Sequence, residues 1–160
     1  MFQTGPTAPP PEAFAAPEPE RLATIAAHFA QDDQLFAGLV GIQIEEMRCG
    51  YARLRLPFRP QLMNAGGRVH GGAVATLVDM AAVPALSLAR TDGGIGGPTV
   101  DLHVQYLGST QDEDLIATGW IVHMTRSMAF AKAEVLTPTG RLLAVGQHTF
   151  RMLTPRPESS

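Results

Sequence analysis

The stretch 64–89, NAGGRVHGGAVATLVDMAAVPALSLA, constrains this chain more than any other. A polar, glycine-dense loop runs into a segment that is almost wholly apolar, with Thr76, Asp79 and Ser87 as exceptions. The segment is too long for an ordinary strand and is rich in Ala and Leu. It predicts a helix from about Gly71 to about Ala89. A helix that is apolar on all faces is expected to lie inside the molecule. At 100° per residue, Thr76, Asp79 and Ser87 fall on one face. A carboxylate in the middle of a buried helix is costly unless something compensates it. Asp79 is therefore the first residue that needs a reason.

The start of this helix is the second informative feature. His70, Gly71 and Gly72 follow Gly66 and Gly67, with Asn64 before them. Glycines allow close approach to the backbone. A helix N-terminus presents unpaired N–H groups and partial positive charge. Such an arrangement suits a polarised carbonyl or a developing oxyanion; equally, it suits a plain turn before a core helix. Eight residues separate Gly71 from Asp79, roughly 12 Å at about 1.5 Å per residue. One chain cannot bring both to the same carbonyl. If the two act together, the site is composite, one chain's glycines facing Asp79 of a second copy in a symmetric dimer.

The rest of the chain supplies a scaffold. Residues 1–19 are rich in Pro, Ala and Glu and read as a disordered or loosely held tail. Leu22, Ile25, Ala26 and Phe29 recur at helical spacing. The helix they predict breaks near Gln31 to Asp33, and a short helical turn follows. The segment 41–57 reads as a hairpin turning at Arg48, Cys49 and Gly50, with Arg53 and Arg55 on its solvated side. Residues 57–63 connect it to the glycine loop. After the helix, TDGGIGGPTV reads as a loop, since no GK[ST] follows to make a phosphate cradle. Strands are then expected over 99–107, 114–125, 128–136 and 142–153, with a tight turn at Thr137 to Gly140. Short connections imply an antiparallel sheet, and about six strands curling around one apolar helix make an α+β domain over 20–153. A polar tail, 154–160, ends the chain.

Composition narrows the function. A net charge of -3 gives no reason to expect nucleic acid or an anionic membrane as partner. The apolar run carries Asp79 and a proline, so it reads as core and not as a membrane span. The N-terminus lacks the pattern of a secretory signal. The single cysteine, Cys49, excludes an intrachain disulfide framework and fits a reducing cytoplasm. His28, His103, His123 and His148 are scattered and form no ligand pair, so no metal is expected. No G-x-S-x-G is present for a serine hydrolase.

The pattern N-x-G-G-x-x-H-G-G-x-x-x-x-L-x-D over 64–79 resembles the signature of PaaI-type hotdog-fold acyl-CoA thioesterases. LVGIQIEEMRCGYARLRLPFRP, GGPTVDLHVQYL and GRLLAVGQHTFRM resemble that family's first hairpin, the strand after its helix and its last strand. The resemblance covers roughly residues 36–153. It implies a hotdog fold and hydrolysis of acyl-CoA esters, with coenzyme A as part of the substrate and no separate cofactor. It implies that Asp79 is the catalytic carboxylate, as general base or nucleophile, and that the Gly71 N–H polarises the thioester carbonyl. Asn64 then positions substrate or water, and Thr99 orients water. His70, Gly72 and Thr76 fall on the substrate side, His70 supporting the loop. Arg126 and Ser127 lie where the family holds coenzyme A. A homodimer or a tetramer of paired dimers is implied. Pro84 departs from the pattern and is expected to kink the helix or end its regular hydrogen bonding. Two other readings keep the fold: a hydratase or dehydratase with His70 as base, and a non-catalytic acyl-CoA-binding module.

Overall fold

The computed structural model describes residues 6–29 and 35–153. Two short helices, α1 (Pro19–His28) and α2 (Phe36–Val40), precede a hairpin of β1 (Gln43–Arg48) and β2 (Tyr51–Leu56). The long helix α3 (Gly71–Ala89) follows. Four strands complete the chain: β3 (Thr99–Tyr106), β4 (Leu115–Met124), β5 (Met128–Leu136) and β6 (Leu142–Arg151). The expected break at Gln31 to Asp33 and the tail 154–160 lie outside the described residues. The strands form one antiparallel sheet in the order β1-β2-β4-β5-β6-β3. The fold is thus the expected α+β one, a six-stranded sheet curled around a central helix.

The sheet grips α3 through small and branched side chains. Leu54, Leu56, Ala117, Ala133, Val135 and Leu143 meet Leu77, Val78 and Ala81 in one cluster. Further along the helix, Ala82 and Leu86 meet Ala129, Ala131 and Phe150. Two strand glycines set how close the helix comes. A Cβ on Gly119 would lie 2.4 Å from the Ala81 carbonyl, and one on Gly146 would lie 2.3 Å from Val78 Cγ1. At Gly119 the obstacle is backbone, which has no rotamer to retreat into. Gly119→Ala is therefore expected to cost about 3 kcal/mol through forced separation of α3 from β4. A urea melt checks this: an unchanged midpoint would mean that helix and sheet part without penalty.

Three expectations need correction. First, α3 is not buried all round. By length and hydropathy it would pass as a membrane span, yet the sheet covers most of it and leaves one stripe partly open. Gly72, Thr76, Asp79 and Val83 belong to that stripe and lie within roughly 60° of one another at 100° per residue. Second, Pro84 does not end α3, which runs on to Ala89. The helix is held from outside there by tertiary packing of Pro84, Ala85 and Leu86, all buried.

Third, the N-terminal segment is not loosely held over residues 6–18. It lies across the outer face of the sheet. The Thr7 N–H, the Thr7 hydroxyl and the Ala8 N–H all donate to Glu134 Oε2. Phe14 packs against the Tyr51 ring at 5.3 Å, and the Cys49 N–H donates to the Ala15 carbonyl at 3.0 Å. Glu134 is 1% exposed, and these donors are what makes a buried carboxylate tolerable there. Proline-rich composition indicated a chain that builds no core of its own; it carried no sign of a face on which the segment lies.

Candidate active site

The glycine loop folds onto the start of α3 through two side chains. Asn64 Oδ1 accepts from the Gly66 N–H at 2.9 Å and the Arg68 N–H at 3.2 Å, closing the loop in the manner of an Asx turn. That leaves the Asn64 NH₂ as the outward donor. His70 is the N-cap of α3, and its Nδ1 accepts from the Gly72 N–H at 2.8 Å. A methyl on Gly72 would come within 2.9 Å of that nitrogen, so the cap requires glycine there. The Ala73 and Val74 N–H groups donate to the His70 carbonyl. Of the first four amides of α3, the Gly71 N–H alone has no acceptor among the described residues. A helix start carries partial positive charge, so this free N–H is a ready donor to an oxyanion.

Below the loop lies a cavity of about 200 Å³, walled by the apolar Val69, Val74, Leu115 and Leu143, with Asn64 and Gly71 at its edge. Tyr106 also lines it, and its hydroxyl donates to the Gly71 carbonyl at 3.2 Å. The sequence pattern did not single out Tyr106.

Two helical turns away sits the carboxylate. Asp79 Oδ1 accepts from the Thr99 hydroxyl at 3.0 Å. This bond joins the partly open stripe of α3 to the first residue of β3, an edge strand that pairs with β6 alone. The structure therefore makes two separate clusters within the chain: Asn64, His70, Gly71 and Gly72 at the helix start, and Asp79 with Thr99 in its middle. Thr76 lies between them on the same stripe. Ser87 does not join this face. It is buried, donates to the Val83 carbonyl and accepts from the Gly96 N–H, pinning the loop after α3. Arg126 and Ser127 form the β4–β5 turn. The Ser127 carbonyl accepts from the Met152 N–H, which puts this turn at the same end of the sheet as Thr99, whose partner on β6 is Phe150. No group of three or more His, Cys, Asp or Glu side chains that could hold a metal occurs among the described residues.

Comparison with known proteins gives this geometry a family. The thioesterase superfamily sequence model matches residues 66–144, which hold α3 and the strands from β3 to the start of β6. A Halobacterium salinarum protein, named only provisionally as an esterase, is 34% identical over 131 residues, covering 76% of this chain and 86% of its own length. The chain belongs to the thioesterase superfamily. The human acyl-coenzyme A thioesterase 13 is 34% identical over 88 residues, covering 54% of this chain and 61% of the human protein. Among solved structures, the Escherichia coli PaaI protein of the phenylacetic acid degradation operon superposes with a TM-score of 0.73 at 20% identity, over 84% of this chain and 95% of that one. The hotdog fold and the PaaI-type resemblance read from the sequence are thereby borne out.

One buried residue near Asp79 escaped the sequence reading. His148 lies on the inner face of β6, 2% exposed, against the turn of α3 that carries Asp79. The signal was present, since His148 shares strand parity with Ala144, Gly146 and Phe150, the apolar side of β6. Burial pushes its imidazole below the ordinary 6.5, opposed by smaller pulls from Asp79 and from the Val78 and Ala131 carbonyls. An unfolded chain takes up this proton near pH 6.5 and the folded chain only at lower pH, so the folded state binds fewer protons in that window. Stability is then full above pH 6.5 and falls as pH drops below it. Urea midpoints at about pH 5.5 and about pH 7.5 bracket the free imidazole range. The difference between them should shrink in His148→Phe; an equal difference in both proteins would show that His148 has no part in it.

Proposed function

We propose that this chain hydrolyses acyl-CoA thioesters at a site completed by two subunits, the start of α3 from one and the Asp79–Thr99 pair from the other. The observation that carries the reading is the free Gly71 N–H at the capped start of α3, in a chain of the thioesterase superfamily. The thioester carbonyl accepts from this N–H, with the Asn64 NH₂ beside it. Asp79, held by Thr99, takes a proton from water as the water oxygen bonds to the carbonyl carbon. The negative charge that builds on the carbonyl oxygen is met by the helix start, an effect worth about 3 kcal/mol per donor. Collapse of this intermediate breaks the C–S bond, and the coenzyme A thiolate leaves, protonated by Asp79 or by solvent. Direct attack by Asp79 through a mixed anhydride is distinguished by single turnover in ¹⁸O-water, where label in the Asp79 side chain would exclude the simple base mechanism.

The subunit arrangement follows from what a single chain leaves open. β3 is an edge strand with Val100 54% and Tyr106 54% exposed, and Leu107 beyond it is 57% exposed. Long apolar edges invite a partner strand. Through Thr99 and Tyr106, β3 also touches both Asp79 and Gly71. A two-fold contact along β3 and the open stripe of α3 covers these groups and brings each Gly71 toward the other chain's Asp79. Coenzyme A is substrate here, lying toward Arg126 and Ser127, and no further cofactor enters the reaction. A cytoplasmic setting fits the single cysteine. The Nδ1 of His70 is occupied by the Gly72 N–H, which leaves a histidine-based hydratase without that nitrogen as a base.

The test is thiol release from a panel of straight-chain and aryl acyl-CoA esters. Turnover of any of them supports the reading, and the panel names the acyl class. No thiol from any ester overturns it.

A further inference from the structure

The cavity below the glycine loop is shaped for a small apolar guest. Its walls Val69, Val74, Leu115 and Leu143 are 5%, 6%, 1% and 1% exposed. Another side is the loop after β3, through Gly108, Ser109 and Thr110, and that loop is pinned. The Leu107 and Gly108 N–H groups donate to the Leu143 carbonyl at 2.8 and 3.0 Å, and the Val69 N–H donates to the Thr110 carbonyl at 2.9 Å. The Thr110 hydroxyl donates to Glu113 at 2.7 Å, and Ser109 Oγ accepts from the Arg68 guanidinium at 3.0 Å. The polar atoms of this side are thus engaged elsewhere. A volume of about 200 Å³ is below the roughly 300 Å³ at which pockets for drug-sized ligands begin. It is near the ~150 Å³ of apolar space that takes benzene.

Tyr106 stands at the mouth of this cavity, 54% exposed where the four apolar walls are buried. Its hydroxyl donates to the Gly71 carbonyl at 3.2 Å. Its ring lies against the same residue, with Cε1 3.5 Å from where a Gly71 Cβ would be. The side chain thereby joins the end of β3 to the start of α3 across the opening.

We propose that this cavity holds the acyl group of the substrate, and that Tyr106 is the specificity-determining residue that limits it to compact acyl groups, about a benzene ring in size. The inference rests on the thioesterase reading above. Asn64 and Gly71, which meet the thioester carbonyl in that reading, are at the cavity's edge. The acyl group therefore has this apolar space within reach. The coenzyme A half leaves the carbonyl carbon on its other side, toward Arg126 and Ser127. That turn lies at the Thr99 end of the sheet, and in the two-subunit site it comes from the chain that supplies Asp79. A long acyl chain outgrows the cavity, and Tyr106, held by Gly71, closes the way out past the helix start. A methylene too many in an apolar pocket costs about 10-fold or more in kcat/KM.

The experiment compares kcat/KM for acetyl-, hexanoyl-, benzoyl- and hexadecanoyl-CoA in the full chain. Ratios between esters are read within each protein, because a loss of active dimers scales every ester alike. Wild type should favour hexanoyl- and benzoyl-CoA over hexadecanoyl-CoA by about 10-fold or more. Tyr106→Ala opens the mouth and should raise the hexadecanoyl-to-benzoyl ratio about 10-fold. Val74→Phe fills the cavity from its wall and should lower the benzoyl-to-acetyl ratio about 10-fold or more. It keeps the proposal testable should the Tyr106 variant fail to fold. Hexadecanoyl-CoA as the preferred wild-type ester, or ratios within about 2-fold of wild type in whichever variant folds, would overturn the acyl pocket while leaving the thioesterase reading intact. Absence of wild-type turnover on every ester would overturn that reading and this inference with it.

Discussion

Asp79→Asn is expected to lower kcat by about 100-fold or more, the scale of losing a general base, without changing the fold. Asparagine has the shape of aspartate, and its Oδ1 can accept the same bond from the Thr99 hydroxyl that Asp79 Oδ1 accepts at 3.0 Å. What it lacks is basicity. Its partner test is Gly71→Pro. Proline suits the first position of a helix, where the missing N–H breaks no internal bond. His70 before it already has extended backbone, φ -65° and ψ 136°, which a following proline prefers. The substitution thus removes the free amide and leaves the helix start in place. Loss of one oxyanion donor is expected to lower kcat about 100- to 1,000-fold. Thiol release with matched circular dichroism spectra checks both. Activity within about 10-fold of wild type in either folded variant would remove that group from the mechanism.

Mixing the two inactive proteins should restore activity. In a dimer of one Asp79→Asn and one Gly71→Pro subunit, one composite site has lost both groups and the other has lost neither. Random exchange between equal amounts makes half of the dimers mixed, so about one quarter of all sites are intact and the mixture recovers up to about one quarter of wild-type turnover. Refolding the two together, with native mass spectrometry to confirm mixed dimers, makes the measurement. A mixture that contains mixed dimers and stays inactive would place Gly71 and Asp79 in separate roles or within one chain, and the composite site would be wrong. The roughly 12 Å along α3 between the two residues makes complementation the sharper test, because a single helix cannot bend to close that distance.

Much of this was legible in residues because it rests on local rules. The run 71–89 has a helix's length and composition, and α3 spans Gly71–Ala89. Alternation in the last four segments gave strands because the side-chain period of a strand is two. The Gly71-Gly72 start of the helix was readable because glycines before an apolar run and the unpaired amides of a helix N-terminus lie within a few consecutive residues, whereas the cap made by the His70 ring came only with the structure. Other features were hidden because their cause is remote in sequence. Glu134 alternates as an outward, solvated residue, and only Thr7 and Ala8, over 120 residues away, make it a buried acceptor. Ser87 shares a helical face with Asp79 by angle, yet the loop at Gly96 takes it for a structural bond. His148 carried a signal in its strand parity, but no pattern says which helical turn lies over it.

The sequence by itself determined the helix, the strands and the spacing that keeps Gly71 from Asp79, since each follows from backbone geometry over a few residues. Tertiary structure decided which groups meet. It set Thr99 on Asp79, let Val78 of α3 close on β6 at Gly146, laid the N-terminal segment across the outer sheet and left one stripe of α3 beside a bare edge strand. These outcomes depend on how closely separate elements approach. That distance is fixed by the volumes of side chains contributed from opposite ends of the chain, which no local pattern contains.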